Sequence, residues 1–159
     1  MIILGIDPGT ATVGYGLIKT EQYQPHFLEC GVIETKKIHT TEQRLYEIGQ
    51  DIAALLAEKR PELCVIEQLF FFRNVTNVIT VAQARGVIIY EVTKLGIPIQ
   101  EVTPLQMKRL ITGSGSAAKP QVGKMIQRFL KLDSIPKPDD AADALGLALC
   151  GYLATRNDK

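Results

Sequence analysis

The sequence predicts an α/β fold in which a mixed five-stranded sheet, with three antiparallel strands followed by two parallel ones, is flanked by helices. Two observations support this prediction. Three short apolar stretches with brief polar connections open the chain, which is typical of an antiparallel meander. Stretches of helical periodicity then alternate with two further apolar stretches, which indicates parallel strands joined by helices. Because no linker or internal repeat interrupts this pattern, residues 1–159 are expected to form a single domain.

The strand predictions rest on short, β-branched apolar runs that end at turn-forming residues. The first run ends at Asp7-Pro8-Gly9, which favours a turn. In the second run, Gly14 and Gly16 alternate with larger residues, and glycine inside a strand indicates either a close approach of another backbone or a bulge. The expected strands are Ile2–Ile6, Val13–Ile18, Phe27–Thr35, Leu63–Ile66 and a strand that begins at Ile97.

The helix predictions rest on apolar residues at helical spacing between caps and helix-breaking residues. Thr40 and Gln43 form a capping-box pattern before the first helix. Thr103-Pro104 is a favourable N-cap and first position for the third helix. The expected helices run from Thr40 to Pro61, from Asn74 to Lys94, from Thr103 to Gly113, from Pro120 to Leu132, and from Asp139 or Asp140 to Tyr152.

The composition predicts a cytoplasmic globular protein. Hydrophobic residues make up 46% of the chain and charged residues 22%, which excludes disorder and low-complexity repeats. No apolar run is long enough to cross a bilayer, and the apolar start of the chain lacks the basic residues of a secretory signal. The three cysteines are an odd number without metal-ligand spacing, so buried thiols in a reducing compartment are the favoured interpretation.

Positive charge is concentrated in one part of the chain. Residues 102–132 contain six basic and no acidic side chains, whereas the rest of the chain is net negative. Such a block is either a surface that binds phosphates or a solvated helix face whose charge other parts of the fold neutralise. Its basic residues are Lys108, Arg109, Lys119, Lys124, Arg128 and Lys131.

Four acidic residues occupy the ends of predicted elements. Asp7 and Glu67 end the first and fourth strands, and Asp140 and Asp143 share one face at the start of the last helix. If the two strands are neighbours, all four carboxylates meet, and clustered carboxylates suit Mg²⁺ or Mn²⁺ and hydrolysis of a phosphodiester. Each acid alone is also compatible with a turn, an exposed strand end or a helix cap. Together with the basic block, the four favour a metal site.

Three consecutive aromatic residues, Phe70 to Phe72, follow Glu67 and precede Arg73. One or two of them are expected to cover the core. Their spacing does not suit burial of all three, so we expect one to stack on an unpaired base beside the metal site.

These motifs together resemble the family of RuvC Holliday-junction resolvases, which have the ribonuclease H-like fold. The resemblance extends over nearly the whole chain. It rests on Gly5-Ile6-Asp7-Pro8-Gly9 with Gly14-Tyr15-Gly16, Ile66-Glu67-Gln68 before Phe70, Gln83-Ala84-Arg85-Gly86, Gly113-Ser114-Gly115-Ser116-Ala117 with Lys119, and Asp140-Ala141-Ala142-Asp143-Ala144-Leu145.

The resemblance implies a homodimer that cuts two opposed strands of a four-way DNA junction in recombination and repair, working with a RuvA–RuvB branch-migration complex. It implies that two Mg²⁺ ions, which Mn²⁺ can replace, are held by Asp7, Glu67, Asp140 and Asp143. The Ala-Ala-Asp spacing favours Asp140 over its neighbour Asp139 as a ligand.

The resemblance also implies DNA contacts. Lys108 and Lys119 match positions against the phosphate near the scissile bond, and Phe70 matches an aromatic residue that stacks at the open junction centre. Phe71, Arg73 and Lys124 are further expected DNA contacts.

Two other functions remain open at this stage. The chain could be another ribonuclease H-like nuclease that acts on a different nucleic acid, or a junction-binding protein without catalytic activity. The intact set of four acids argues against the second alternative, because clustered negative charge does not help a protein to bind DNA. The apolar helix around Val75–Val92 is either part of a dimer interface or ordinary core.

Overall fold

The computed structural model describes residues 1–69 and 75–157 and has the predicted α/β fold. A five-stranded sheet is flanked by five helices within these residues. The elements in chain order are β1 (Ile2–Asp7), β2 (Thr12–Glu21), β3 (Gln24–Glu34), α1 (Thr41–Lys59), β4 (Leu63–Glu67), α2 (Val75–Lys94), β5 (Ile99–Val102), α3 (Pro104–Thr112), α4 (Lys119–Leu130) and α5 (Asp139–Asn157).

The sheet has the strand order β3-β2-β1-β4-β5, with β1 in its centre. The first three strands are antiparallel neighbours, as predicted. Strand β4 pairs in parallel with β1 on one side and with β5 on the other. The carboxyl ends of β1 and β4 therefore lie side by side at one edge of the sheet, which is where parallel strands of α/β folds present functional residues.

Helices cover both faces of the sheet. Helices α1 and α2 pack against one face around Leu4, Ile6 and Ile66. Helices α3, α4 and α5 pack against the other face around Ile3, Val65 and Val102. Successive residues of β1 thus point to opposite layers, and both layers are apolar, which explains why this central strand is hydrophobic throughout.

Helix α5 lies unusually close to the sheet because glycines face it. A Cβ atom on Gly5 would lie 2.0 Å from the Ala144 carbonyl oxygen, and one on Gly14 would lie 2.1 Å from the Asp140 carbonyl oxygen. The predicted close backbone approach at Gly14 is therefore observed. This contact fixes the first turn of α5 over the ends of β1 and β2.

The β2–β3 hairpin is longer than the sequence pattern predicts. Strand β2 continues to Glu21, and β3 begins at Gln24 rather than at Phe27. The turn consists of Gln22 and Tyr23, both with positive φ angles of 47° and 60°. Glycine and asparagine are the usual residues at such positions, so neither residue marked the turn in the sequence.

Smaller differences occur at four other ends. Strand β5 begins at Ile99 instead of Ile97, α4 begins and ends slightly earlier than predicted, and α5 extends beyond Tyr152 to Asn157. The cap of α1 is as predicted, with Thr40 and Gln43 forming a complete capping box. Element ends are the least certain part of any pattern-based assignment, because the terminal turns fray.

All three cysteines are free thiols. Cys64 and Cys150 are buried, as predicted, whereas Cys30 on the edge strand β3 is only partly buried. Within residues 1–69 and 75–157, none of the helices combines the length and the apolar character that crossing a bilayer requires.

Candidate active site

The structure brings the four predicted acidic residues to one edge of the sheet. Asp7 is the last residue of β1 and Glu67 the last residue of the adjacent β4. Helix α5 begins at Asp139, so Asp140 and Asp143 lie in its first turns, above the ends of β1 and β2. The short side chains of this helix and the facing glycines allow that placement.

Asp7 is the most perturbed acid of the site. Its pKa is raised from 3.8 to about 7, first by partial burial and then by the negative charges of Glu67, Asp143 and Asp140. The ammonium group of Lys119 acts in the opposite direction. The carboxylates are therefore close enough to repel one another, and a bound cation would relieve that repulsion.

Glu67 and Asp143 are affected in the same way. Burial raises the pKa of Glu67, with a further contribution from Asp143. Burial also raises the pKa of Asp143, while hydrogen bonding to Lys119 lowers it. Asp139 and Asp140 both contribute to the raised pKa of Asp143, and Asp140 also contributes to that of Asp7, so Asp140 is the one of the two that acts on both acids.

Lys119 is the cation of the site. Its Nζ lies 3.1 Å from Asp143 Oδ2 and 3.3 Å from Asp139 Oδ2. These partners raise the pKa of Lys119, so its ammonium group stays charged. A cleft of about 260 Å³ beside these residues is lined by Lys119, Lys137, Asp139 and Asp143, among others.

The residues fit a hard divalent cation in charge and ligand type. Carboxylate oxygens are the donors that Mg²⁺ and Mn²⁺ prefer, and the raised pKa of Asp7 reflects its burial together with the negative charge around it. In the part of the chain that the structure describes, no three Asp, Glu, His or Cys side chains converge as a finished metal-binding group. Asp143 is engaged in its ion pair with Lys119, so a cation would compete with Lys119 for this carboxylate.

The other predicted DNA contacts have different positions. Lys108 lies partly buried on α3, and Lys124 is exposed on α4, where it lines a depression of about 300 Å³ with Ser114 and Arg128. Among the basic side chains of residues 102–132, only Lys119 forms an ion pair with a described acidic side chain. Phe70, Phe71 and Arg73 lie outside the described residues.

One contact of the site was not expected from the sequence. The Nε of Arg85 on α2 donates a hydrogen bond of 3.2 Å to the main-chain oxygen of Glu67. Arg85 entered the sequence analysis only as part of the Gln83-Ala84-Arg85-Gly86 motif. The signal that could have indicated this contact is Pro8, which has no N–H to offer to the neighbouring strand.

Comparison with known proteins agrees with this architecture. The model of the family described as "Crossover junction endodeoxyribonuclease RuvC" matches residues 3–151. A protein of that name from Syntrophomonas wolfei is 48% identical over 150 residues, which cover 94% of this chain and 87% of the relative.

Solved structures give the same result. The structure of Thermus thermophilus RuvC superposes with a TM-score of 0.92 and 30% identity, covering 99% of this chain and 97% of that one. T. thermophilus RuvC in complex with Holliday junction substrate superposes with a TM-score of 0.89 and 28% identity, covering 99% and 96%. The resemblance noted in the sequence and the ribonuclease H-like fold are thereby confirmed. The chain belongs to the RuvC family of crossover junction endodeoxyribonucleases.

Proposed function

We propose that this protein is a structure-selective endonuclease that resolves four-way Holliday junctions by paired symmetric nicks in DNA recombination and repair. The observation that carries the proposal is the cluster of Asp7, Glu67, Asp140 and Asp143 at the ends of β1, β4 and α5. The family supports the substrate, because its relatives are named crossover junction endodeoxyribonucleases and one was solved with a Holliday junction.

Two Mg²⁺ ions, replaceable by Mn²⁺, are the proposed cofactors of this site, and the four carboxylates would hold them. When bound, such ions lower the pKa of water and stabilise the charge that develops on a phosphodiester during in-line displacement. The ligand chemistry supports this choice, since all four side chains offer hard oxygen donors.

The residues of the chain contribute electrostatics and position. The carboxylates of Asp7 and Glu67 are partly buried and held at the ends of rigid strands, so they lose little freedom when they bind a cation. Lys119 carries a stable positive charge beside them. An ammonium group there binds a phosphate oxygen next to the scissile bond and stabilises the negative charge that grows on it.

The basic block supplies the DNA-binding face in this proposal. Lys108, Lys119 and Lys124 contact phosphates, which position the DNA without reading its sequence. Lys124 and Arg128 line one depression near Ser114, and neither forms an ion pair with a described acid. Phe70, Phe71 and Arg73 are proposed to meet the open centre of the junction.

A homodimer is proposed because one chain carries one set of four acids and resolution requires two nicks. We propose that residues 1–159 form a single nuclease domain and that α2 contributes to the dimer interface. Ile79 and Tyr90 on this helix are 55% and 63% exposed, and their spacing of eleven residues places them on one face of the helix, where a second copy could cover both. The other face of this helix belongs to the core, because Val92 is buried there and Ile89 packs against it.

We further propose, as the resemblance implies, that a RuvA–RuvB branch-migration complex is a partner that would deliver the junction to this enzyme. Its chromosomal substrate and three free thiols support a location in the cytoplasm.

The test is cleavage of a labelled four-way junction with a mobile centre, with a linear duplex of the same arms as control. We expect Mg²⁺-dependent, symmetric nicks in the junction alone. Asp7→Asn should abolish nicking while junction binding persists, because the phosphate contacts come from lysines elsewhere. Cutting of the linear duplex would favour a different nuclease, and binding without nicks would favour a non-catalytic binder. Equal loss of binding and nicking in Asp7→Asn would contradict the assigned role of Asp7.

A further inference from the structure

The pairing between strands β1 and β4 ends one residue before Asp7 and Glu67, the acids at the ends of these strands. Their parallel pairing ends at Ile6 opposite Ile66, whereas the pairing of β4 with β5 continues to Glu67 opposite Val102. The next bond of the β1–β4 ladder would run from the N–H of residue 8 to the carbonyl of Glu67. Residue 8 is proline, which has no N–H, so this bond cannot form.

The orientation of the peptide group between Glu67 and Gln68 follows from its hydrogen bond to strand β5. Gln68 N–H donates to the Val102 oxygen at 2.9 Å, towards β5. Because the peptide group is planar and trans, the Glu67 carbonyl points away from β5, to the side where the proline lies. A carbonyl group at this partly buried position needs another donor.

Arg85 is that donor. Its side chain is 18% exposed, and its Nε donates to the Glu67 oxygen at 3.2 Å. Its Nη2 lies 2.8 Å from Glu101 Oε2 on β5, an ion-pair distance without hydrogen-bond geometry. The guanidinium group thus links α2 to the main chain at the end of β4 and to a side chain of β5.

We propose that Arg85 is a positioning residue for metal-dependent cleavage: its guanidinium group replaces the missing N–H of Pro8 and holds the main chain of Glu67. The carboxylate of Glu67 is thereby aimed at the shared site with Asp7 and Asp143. This inference rests on the proposed function, and it assigns a role to the arginine of the Gln83-Ala84-Arg85-Gly86 motif.

The experiment compares Arg85→Met with the wild-type protein. Methionine keeps an unbranched apolar side chain but removes every donor. We expect Mn²⁺ affinity, measured by calorimetry without DNA, to fall about 10- to 100-fold, as is typical when a group that orients a metal ligand is lost. Cleavage should fall most at low metal concentration and recover partly at high concentration. Junction binding in EDTA should change less than about twofold.

Arg44→Met is the matched control. Arg44 is also an arginine that donates to main-chain oxygens, those of His39 and Lys37, but it lies at the start of α1. We expect it to alter thermal stability without altering Mn²⁺ affinity. If Arg85→Met does not fold, Arg85→Lys provides the test, since its ammonium group keeps N–H donors but not the planar guanidinium geometry and should give an intermediate Mn²⁺ affinity.

A rescue variant tests whether the loss of Mn²⁺ affinity comes from the lost hydrogen bond to the Glu67 carbonyl. Pro8→Ala restores an N–H at the missing position of the ladder, so the double variant Pro8→Ala/Arg85→Met should bind Mn²⁺ more tightly than Arg85→Met alone. Unchanged Mn²⁺ affinity in Arg85→Met, or no rescue, would overturn the inference. A wild-type protein that binds Mn²⁺ but leaves junctions intact would instead refute the proposed function while the affinities still report on Arg85.

Discussion

At the scale of single residues, the site combines groups that destabilise the free protein. Asp7, Glu67 and Asp143 are partly buried carboxylates with raised pKa values, and Lys119 compensates them only in part. Residues chosen for stability alone would not cluster in this way. The cluster therefore indicates a functional constraint, since perturbed carboxylates concentrate at binding and catalytic sites.

The raised pKa of Asp7 predicts that the stability of the metal-free protein depends on pH. An acid whose pKa rises from 3.8 to about 7 on folding is held protonated in the folded state, so the free energy of unfolding falls as the pH rises through this window. We expect Asp7→Asn to stabilise the metal-free protein, and its advantage over the wild type to grow by up to about 1.4 kcal/mol per pH unit between pH 5 and 7.

Urea unfolding in EDTA at pH 5, 6, 7 and 8 measures this effect. The advantage should level off above the pKa of Asp7. Asp51→Asn, which changes an exposed acid on α1, is the control and should show no such trend. An advantage of Asp7→Asn that is equal at all four pH values would contradict the assigned burial and repulsion.

At the scale of elements, the site depends on how closely α5 lies against the sheet. Gly5 and Gly14 leave room for the helix backbone, and Ala144 is one of the small residues that face them. The helix N-terminus thereby reaches the ends of β1 and β2. Its macrodipole is positive at this end and stabilises the acids of the first turn.

Gly14→Ala is expected to abolish cleavage. The added Cβ would lie 2.1 Å from the Asp140 oxygen, which is main chain, so α5 must shift at the site. We expect a loss of stability of about 1–3 kcal/mol, as for other overpacked positions, and a far larger relative loss of nicking, because the two acids of α5 move with the helix. Cleavage assays and urea unfolding measure the two effects.

Gly49→Ala is the control for this variant. A Cβ on Gly49 would approach only a methyl group of Val87, at 3.2 Å, and this side chain can shift. Its nicking rate should stay close to that of the wild type. Normal nicking by Gly14→Ala would show that the close contact does not position the acids.

The sequence predicted those parts of the fold and site that depend on local patterns. Asp7 and Glu67 could be located because they follow apolar strands. Gly14 indicated the close backbone approach that helix α5 makes in the structure. The Gln22-Tyr23 turn could not be predicted, because its positive φ angles occur without glycine or asparagine. The role of Arg85 could not be predicted from local patterns either, since Pro8 indicates it only once the pairing of β1 with β4 is known.

At the scale of the whole molecule, an acidic centre lies beside a basic surface. Residues 102–132 contribute α3 and α4, and the start of α4 brings Lys119 to the carboxylates. The remaining basic side chains of this segment form no ion pair with a described acid. Their charge is therefore free to attract phosphates towards the centre, while the carboxylates require cations between themselves and the DNA.

The exposed apolar residues of α2 predict the interface of the proposed dimer. Replacing both Ile79 and Tyr90 by Glu should give monomers in sedimentation experiments, because charge would be buried against a second copy. Both side chains are largely exposed, so the fold should persist by circular dichroism. The monomer should produce unpaired nicks at most. A folded double variant that sediments as the wild-type dimer would place the interface elsewhere.

The docking of α5 on the glycines of the sheet also has a consequence for synthesis. Asp140 follows Asp7 by 133 residues, which corresponds to roughly 7 to 27 seconds of translation at about 5–20 residues per second. During that time the sheet can form while half of the carboxylates do not yet exist. Nuclease activity is therefore expected to begin only after the last helix has been synthesised and has docked on the sheet.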